Sequence, residues 1–186
     1  ANLQSGESVL ITGGSGGVST MAIQIARHLG AEVFVVTSGA ENVKRAEALG
    51  AQHVYDRNEV EFAKSVWVDT AKRGVDVVLD SVGEAIWSDL MRCLAPYGRL
   101  VTYGGTTGHR ARLNIPAVFW RQLTIMGSTM GTPKEFREAM QLVFDGHIVP
   151  PIHAVLPLDR IQEAHELLEA GEVFGKIIIR PDRAEV

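Results

Sequence analysis

The sequence predicts an α/β protein: a doubly wound sheet of six parallel strands, followed by a short strand–helix–strand tail. Three observations carry this. Strand-sized apolar runs alternate with segments of helical periodicity along most of the 186 residues, the pattern of parallel βαβ units. The runs are apolar almost throughout, as in "VFVV", so both faces of the sheet are covered. A glycine cluster stands between the first strand and the first helix, in "ITGGSGGVST".

Taken in order, residues 8–12 (SVLIT) read as a short buried strand. Val18, Met21, Ala22, Ile25, Ala26 and Leu29 then recur at helical spacing, and Gly30 stops the helix. Residues 32–37 (EVFVVT) form a second strand, rich in β-branched side chains. Val43, Ala46 and Leu49 mark a second helix that stops at Gly50, and residues 53–56 a short third strand. A helix over 59–71 leads to a fourth strand at 75–80 (VDVVLD). A helix over 84–94 ends before Pro96, and residues 100–103 are a fifth strand. Residues 123–127 (LTIMG) are a sixth. The last helix of this unit begins at Thr132-Pro133-Lys134-Glu135, where Thr132 and Glu135 satisfy a capping box and Pro133 occupies the first helical position. It ends near Asp145-Gly146, and Pro150-Pro151 breaks the pattern. Beyond the break come a strand at 154–156, a helix over 160–170 capped by Asp159, and a strand at 176–180, a piece expected to lie outside the main sheet. The domain reading is therefore residues 1–150 for the sheet and 151–186 for the tail.

Hydrophobic residues make up 46% of the chain and charged residues 22%, enough for a core at this length without staples. The net charge of −4 implies no basic face, so neither nucleic acid nor an anionic membrane is an expected partner. No apolar run approaches the roughly 20 residues of a membrane span. Cys93 is the only cysteine, which rules out an intrachain disulfide and a cysteine-rich zinc site and fits a reducing compartment such as the cytoplasm. The opening residues include no initiator Met and no signal peptide and run straight into a strand, as a segment beginning in mid-protein would.

The stretch Gly14-Ser15-Gly16-Gly17-Val18-Ser19 fits G-x-G-x-x-G with Ser in the last position. Such a loop needs a residue free at positive φ, close approach of backbone to a pyrophosphate, and a helix N-terminus aiming free N–H groups at that anion. The third glycine only allows close helix–strand packing, so a small Ser19 is tolerable. The strand–loop–helix setting makes the motif specific, and the sheet is then of the Rossmann dinucleotide-binding type. A Walker-type loop is excluded because no Lys follows the glycines.

NAD-preferring sites place Asp or Glu about 20 residues beyond the loop, to bind the ribose hydroxyls. This chain has Thr37-Ser38-Gly39-Ala40 there, with Glu41 already inside the next helix. Small hydroxyls leave room for a 2′-phosphate, and Lys44, Arg45 and Arg57 are nearby in sequence. The expected cofactor is NADP(H) in preference to NAD(H), with Ser38 meeting the phosphate and Arg57 or Lys44 balancing its charge.

The segments "ITGGSGGVSTMAIQIARHLGA", "ALGAQHVYDRNEVEF", "GVDVVLDSVGEAIWSDLMRCLAPYGRLVTYGG", "RQLTIMGSTMGTPKEF" and "VFGKIIIRP" together resemble the medium-chain dehydrogenase/reductase superfamily, in the branch of the quinone oxidoreductases and zinc-binding alcohol dehydrogenases. The resemblance implies an N-terminal GroES-like catalytic domain before residue 1, onto which the tail packs. It implies that Gly14, Gly16, Gly17 and Val18 hold the pyrophosphate and that Ser38 meets the adenosine ribose end. Ser81, Val82 and Gly83, with Tyr103, Gly104 and Gly105, would line the adenosine and nicotinamide-ribose side, and Ser128, Thr129 and Met130 would approach the nicotinamide. Ser19 stands where the family commonly has Gly, and Asn42 and Arg57 where many NADPH-using relatives carry Lys and Tyr.

The chemistry implied is hydride transfer between nicotinamide and a substrate C=O or C=C, with the protein supplying orientation and electrostatics. Any catalytic zinc of a full-length member has its ligands upstream of this segment. The six His form no close ligand pair, Cys93 reads as packing and Asp80 as turn chemistry, so this chain alone is expected to bind nucleotide and turn over nothing. Two other readings stay open: the enoyl-reductase module of a polyketide or fatty-acid synthase, and a non-catalytic nucleotide binder. The sixth strand, Leu123 to Gly127, is last in the expected sheet order and apolar. Such an edge invites pairing, and a homodimer through it is expected.

Overall fold

The computed structural model describes residues 1–181. Six parallel strands form the main sheet: β1 (Ser8–Ile11), β2 (Glu32–Thr37), β3 (His53–Asp56), β4 (Val75–Asp80), β5 (Leu94–Thr102) and β6 (Thr124–Gly127). Their order is β3-β2-β1-β4-β5-β6. The order reverses between β1 and β4, the switch point at which ligands of doubly wound sheets bind.

The two-residue period of the strands divides the core. Val9, Ile11, Val33, Val35 and Val77 face one side, where α1 (Gly17–His28) and α2 (Ala40–Ala48) cover them. Leu10, Phe34, Val36, Val78 and Leu100 face the other, under α3 (Phe62–Asp69) and α4 (Trp87–Cys93). Neither face is polar, which is why the strands read as unbroken apolar runs.

The helices differ in detail from expectation. The buried side of α1 is Ser19, Thr20, Ile23 and Ala26, whereas Val18 is 56% exposed. This face is rotated from the expected set, because Ser19 and Thr20 are small enough to lie against the sheet. The third helix is shorter than 59–71. Residues 84–94 divide into a 3-10 turn, Glu84–Ile86, and α4.

Strand β5 starts at Leu94 rather than residue 100. Leu94 pairs with Val75, and the register then jumps to Val77 opposite Arg99. Residues 95–98 bulge outward opposite Asp76, with Tyr97 at φ +63. The bulge accommodates Pro96, which a regular ladder excludes. A helix not expected from the sequence, α5 (Ile115–Trp120), precedes β6. The Asn114 side chain caps it by accepting from the Ala117 amide at 3.2 Å.

Helix α6 (Pro133–Phe144) carries the expected capping box: the Thr132 hydroxyl accepts from the Glu135 amide and the Glu135 carboxylate from the Thr132 amide. The tail forms its own parallel pair, β7 (Ile152–Pro157) and β8 (Lys176–Arg180), joined through α7 (Ile161–Glu169). Asp159 does not cap α7 as expected. It lies inside a 3-10 turn, Leu158–Arg160, which leaves Arg160 in the N-cap position with no side-chain bond to the helix. The segment leading into the tail is fixed where Gln24 exchanges two hydrogen bonds with the backbone of Val149, and the tail itself rests on the main domain, with the buried Phe174 under the Arg45 guanidinium, 5.6 Å away. No helix among the described residues is long and apolar enough to cross a membrane.

Candidate functional site

The loops after β1, β4 and β5 meet at the C-terminal edge of the sheet. The turn after β1 opens with Gly13 at φ +60, a conformation glycine adopts without steric cost. The Gly14 amide donates to the Val36 carbonyl at 3.0 Å, which draws the loop across onto β2. A Cβ on Gly14 would stand 2.3 Å from Val35 Cγ1, so no side chain fits there. The Gly16 amide closes back on the Gly13 carbonyl at 2.8 Å, and α1 begins at the next residue. Gly16 is its N-cap, with no side-chain cap. The first-turn amides of Gly17, Val18 and Ser19 have no partner within the helix, so the positive end of its dipole faces the cleft.

Ser19 fits this arrangement closely. It is 2% exposed and its hydroxyl donates to the Thr12 carbonyl at 2.8 Å, tying α1 to β1. The Tyr103 hydroxyl lies 3.5 Å from Ser19 Oγ. Asp80 is fully buried and organises the turn after β4. It accepts from the Thr12 hydroxyl at 2.9 Å, the Val82 amide at 3.0 Å and the Gly83 amide at 3.1 Å. It is turn chemistry, as expected from the sequence.

Close backbone contacts lock the three loops. A Cβ on Gly13 would stand 3.1 Å from Ser81 Oγ, one on Gly104 would stand 2.9 Å from the Ser81 carbonyl, and one on Gly83 would stand 3.0 Å from Gly105 Cα. The Tyr103 amide donates to the Asp80 carbonyl at 2.9 Å. The structure thus brings Gly14, Gly16, Gly17 and Val18 to one edge with Ser81, Val82, Gly83, Tyr103, Gly104 and Gly105. Ser128 continues the ladder to Thr102 at 2.9 Å, with Thr129 and the 94% exposed Met130 beyond it.

At the end of β2, Arg57 Nε donates to Ser38 Oγ at 2.7 Å. The neighbouring carboxylates are engaged: Asp56 accepts from the Gly39 and Asn58 amides, and Glu41 pairs with Arg45 at 3.0 Å. Arg57 enters no ion pair among the described residues. Lys44, the fifth residue of α2, is exposed and its side chain makes no hydrogen bond or ion pair among the described residues. Of the two cations considered for this position, only Arg57 touches Ser38.

Two features of the site were not anticipated from the sequence. The first is Lys176, at the start of β8. The Gly175 amide donates to the Ser15 carbonyl at 2.8 Å, so the tail docks on the glycine loop. The Lys176 side chain then runs over Gly17, where a Cβ would meet its Nζ at 2.7 Å. The second is the burial of Thr37, read from the sequence only as a small hydroxyl at the ribose end: it is 3% exposed, its hydroxyl has no partner among the described residues, and its Cβ stands 3.3 Å from the Cβ position of Gly14. The glycine cradle, the uncapped helix start and the adjacent ammonium fit a dinucleotide's pyrophosphate. A zinc ion is not fitted: no group of three or more His, Cys, Asp or Glu stands together among the described residues. Cys93 is buried and its thiol is pushed up to about 12 by that burial, which suits packing rather than ligation.

A family model described as zinc-binding dehydrogenase matches residues 17–145. A NAD-dependent alcohol dehydrogenase of Sulfolobus acidocaldarius is 35% identical over 97% of this chain and 52% of its own length. A highly reducing polyketide synthase of Didymella fabae is 30% identical over the whole chain but only 10% of its own length. The crystal structure of Escherichia coli quinone oxidoreductase complexed with NADPH superposes with a TM-score of 0.86 at 26% identity, covering 97% of this chain and 59% of that one. The chain thus spans about half of the alcohol dehydrogenase relative. Matched over most of its length and built around a glycine loop at the sheet's switch point, the chain belongs to the zinc-binding dehydrogenase family of medium-chain oxidoreductases, whose cofactor-binding domain it carries.

Proposed function

We propose that the chain binds NADP(H) along the edge formed by the loops after β1, β4 and β5, within an enzyme that reduces a quinone, an enone or a carbonyl. The observation that carries this is the cradle at the start of α1, with glycines where side chains would clash, amides without a cap, and Lys176 beside them. Gly14, Gly16, Gly17 and Val18 would hold the pyrophosphate. Ser81 to Gly83 and Tyr103 to Gly105 would shape the walls, and Ser128, Thr129 and Met130 would flank the nicotinamide. When bound, the cofactor supplies or accepts the hydride; this chain binds and orients it.

The preference for NADP(H) is supported by the end of β2. Thr37 and Ser38 replace the acid that binds ribose hydroxyls. Arg57 is held at Ser38 without a carboxylate partner among the described residues, a suitable neighbour for a 2′-phosphate. Calorimetric titration of NADPH and NADH decides this, and equal affinities would refute the preference.

The likeness to a polyketide synthase over the whole chain supports a second reading, an enoyl-reductase module. The sequence flanking this chain separates the two, because acyl-carrier or ketoreductase domains accompany the module. A zinc in the whole enzyme would take its ligands from outside the described residues. We also place a homodimer contact at β6, which pairs on one side only and exposes Ile125.

A further inference from the structure

A cavity of about 750 Å³ lies away from the cleft just described. Trp67 and Val68 of α3 and Pro96 of the β5 bulge give it apolar walls, and Lys72 and Arg121 stand on its rim. Lys72 belongs to the turn entering β4, and Pro96 to the entry of β5. These mark the N-terminal edge of the parallel sheet, whereas the glycine loop marks the C-terminal edge. The cavity is a separate site at the opposite end of the strands. Its volume is that of a small-molecule pocket, for which about 300–1,000 Å³ is usual.

Its charge is unbalanced. Five cations line it, and three are neutralised by acids: Lys64 by Glu61, Arg73 by Asp76 and Arg92 by Asp89. No ion pair among the described residues includes Lys72 or Arg121. Arg121 is partly buried and donates only to main-chain carbonyls, those of Met91 at 3.0 Å and Leu94. Burial without a carboxylate disfavours its charged form, and its pKa is lowered accordingly. A cation in that setting favours an anionic partner.

The backbone around the rim is unusual as well. Ala71 (φ +49), Lys72 (φ +68), Tyr97 (φ +63) and Gln122 (φ +51) are four of the six non-glycine residues in left-handed conformation among those described. Each lines the cavity or lies beside a residue that does. Such conformations persist only where surrounding structure enforces them. Here the Tyr97 amide donates to the Arg121 carbonyl at 2.7 Å, and Gln122 Nε2 to the Tyr97 hydroxyl at 3.2 Å. Lys72 itself and the neighbour of Arg121 are among these left-handed residues, and both cations line the cavity together with Trp67, Val68 and Pro96.

We propose that this cavity binds an apolar carboxylate, an acyl or aryl acid whose hydrocarbon body lies on Trp67, Val68 and Pro96 and whose carboxylate meets Lys72 and Arg121. The inference is independent of the cofactor reading.

The test is a titration of decanoate into the intact chain, followed by amide chemical shifts, with decanol as the neutral control. Saturable shifts are expected at Val68 and Arg121, with decanol bound about tenfold more weakly, the loss of one charge-assisted contact. Lys72→Asn keeps a residue that tolerates the left-handed backbone and removes the charge. It should weaken decanoate by a similar factor and leave decanol unchanged. Arg121→Gln should do the same; if that variant does not fold, Lys72→Asn decides alone. Val68→Glu should abolish binding of both probes. Equal affinity for acid and alcohol, indifference of decanoate to Lys72→Asn, or displacement of decanoate by NADPH would each overturn the proposal.

Discussion

Replacing Lys176 by Ala tests whether the tail completes the pyrophosphate site. The Cβ position of Gly17 is 2.7 Å from Lys176 Nζ, which puts the ammonium within about 4 Å of Gly17 Cα. An anion accepting from the first-turn amides at about 2.9 Å then lies roughly 5 Å from that charge. At an effective dielectric constant of about 20, Coulomb attraction at that distance is about 3 kcal/mol. Lys176 is exposed, so screening and side-chain entropy reduce this to about 1 kcal/mol, the upper end for an exposed pair. Lys176→Ala should therefore weaken NADPH by about fivefold. Adenosine 2′-monophosphate, which lacks the pyrophosphate, should bind the variant and the parent alike. Calorimetric titration of both ligands reads the two effects. NADPH affinity unchanged within about twofold, or an equal loss for the monophosphate, would refute the assignment.

Three further outcomes follow from the same geometry. Gly14→Ala would drive a methyl against Val35, which is fully buried, and should cost about 1–3 kcal/mol of stability. Gly127→Ala, with nothing within 4 Å of its Cβ position, should be nearly neutral, and denaturant unfolding compares them. Asp76 accepts from Arg73 and from the Ser8 amide and hydroxyl, led by Arg73, and these hold its carboxyl well below the ordinary range. Its folded-state pKa is depressed, so its stabilisation is present above the unfolded value of about 4 and is lost as pH falls toward the folded one. Asp76→Asn should therefore be less stable than the parent at pH 7, and urea unfolding should show the gap narrowing progressively below about pH 4. Ile125→Lys places a charge on the open edge of β6 and should shift the chain from dimer to monomer in sedimentation at micromolar concentration; a parent that is already monomeric at that concentration would remove the dimer proposal.

Much of this was legible in the sequence where local chemistry decides structure. Strands β2, β3, β4 and β8 have the expected limits, because each apolar run is bounded by residues that turn the chain. The capping box of α6 needed only Thr132, Pro133 and Glu135. Strand β5 was misjudged because Leu94 ends one apolar pattern and starts another with no linker between, and Pro96 and Gly98 read as breakers. Only the pairing with β4 shows that they form a bulge. Helix α5 is one and a half turns long, and its cues, Asn114 and Pro116, look equally like a loop. Gly14, Gly16 and Gly17 were visible as a motif. Lys176 lies 159 residues beyond Gly17, and nothing in its neighbourhood, a Gly-Lys pair ahead of an apolar strand, marks it as a partner of that loop.

That distance changes what counts as the site. The glycine loop is held from three directions: by the Val36 carbonyl on β2, by the Ser81 turn after β4, and by the Gly175 amide of the tail. The first two belong to the sheet and fold with it. The third comes from a two-stranded unit whose own core is small, with β7 and β8 each alternating toward solvent. A loop fixed in advance binds an anion without first ordering its backbone. If the loop holds the pyrophosphate as proposed, the tail would act on affinity twice, through the Lys176 charge and through the Gly175 hydrogen bond to Ser15. The main sheet and the two-stranded tail are separate in topology, but the glycine loop is held from both of them.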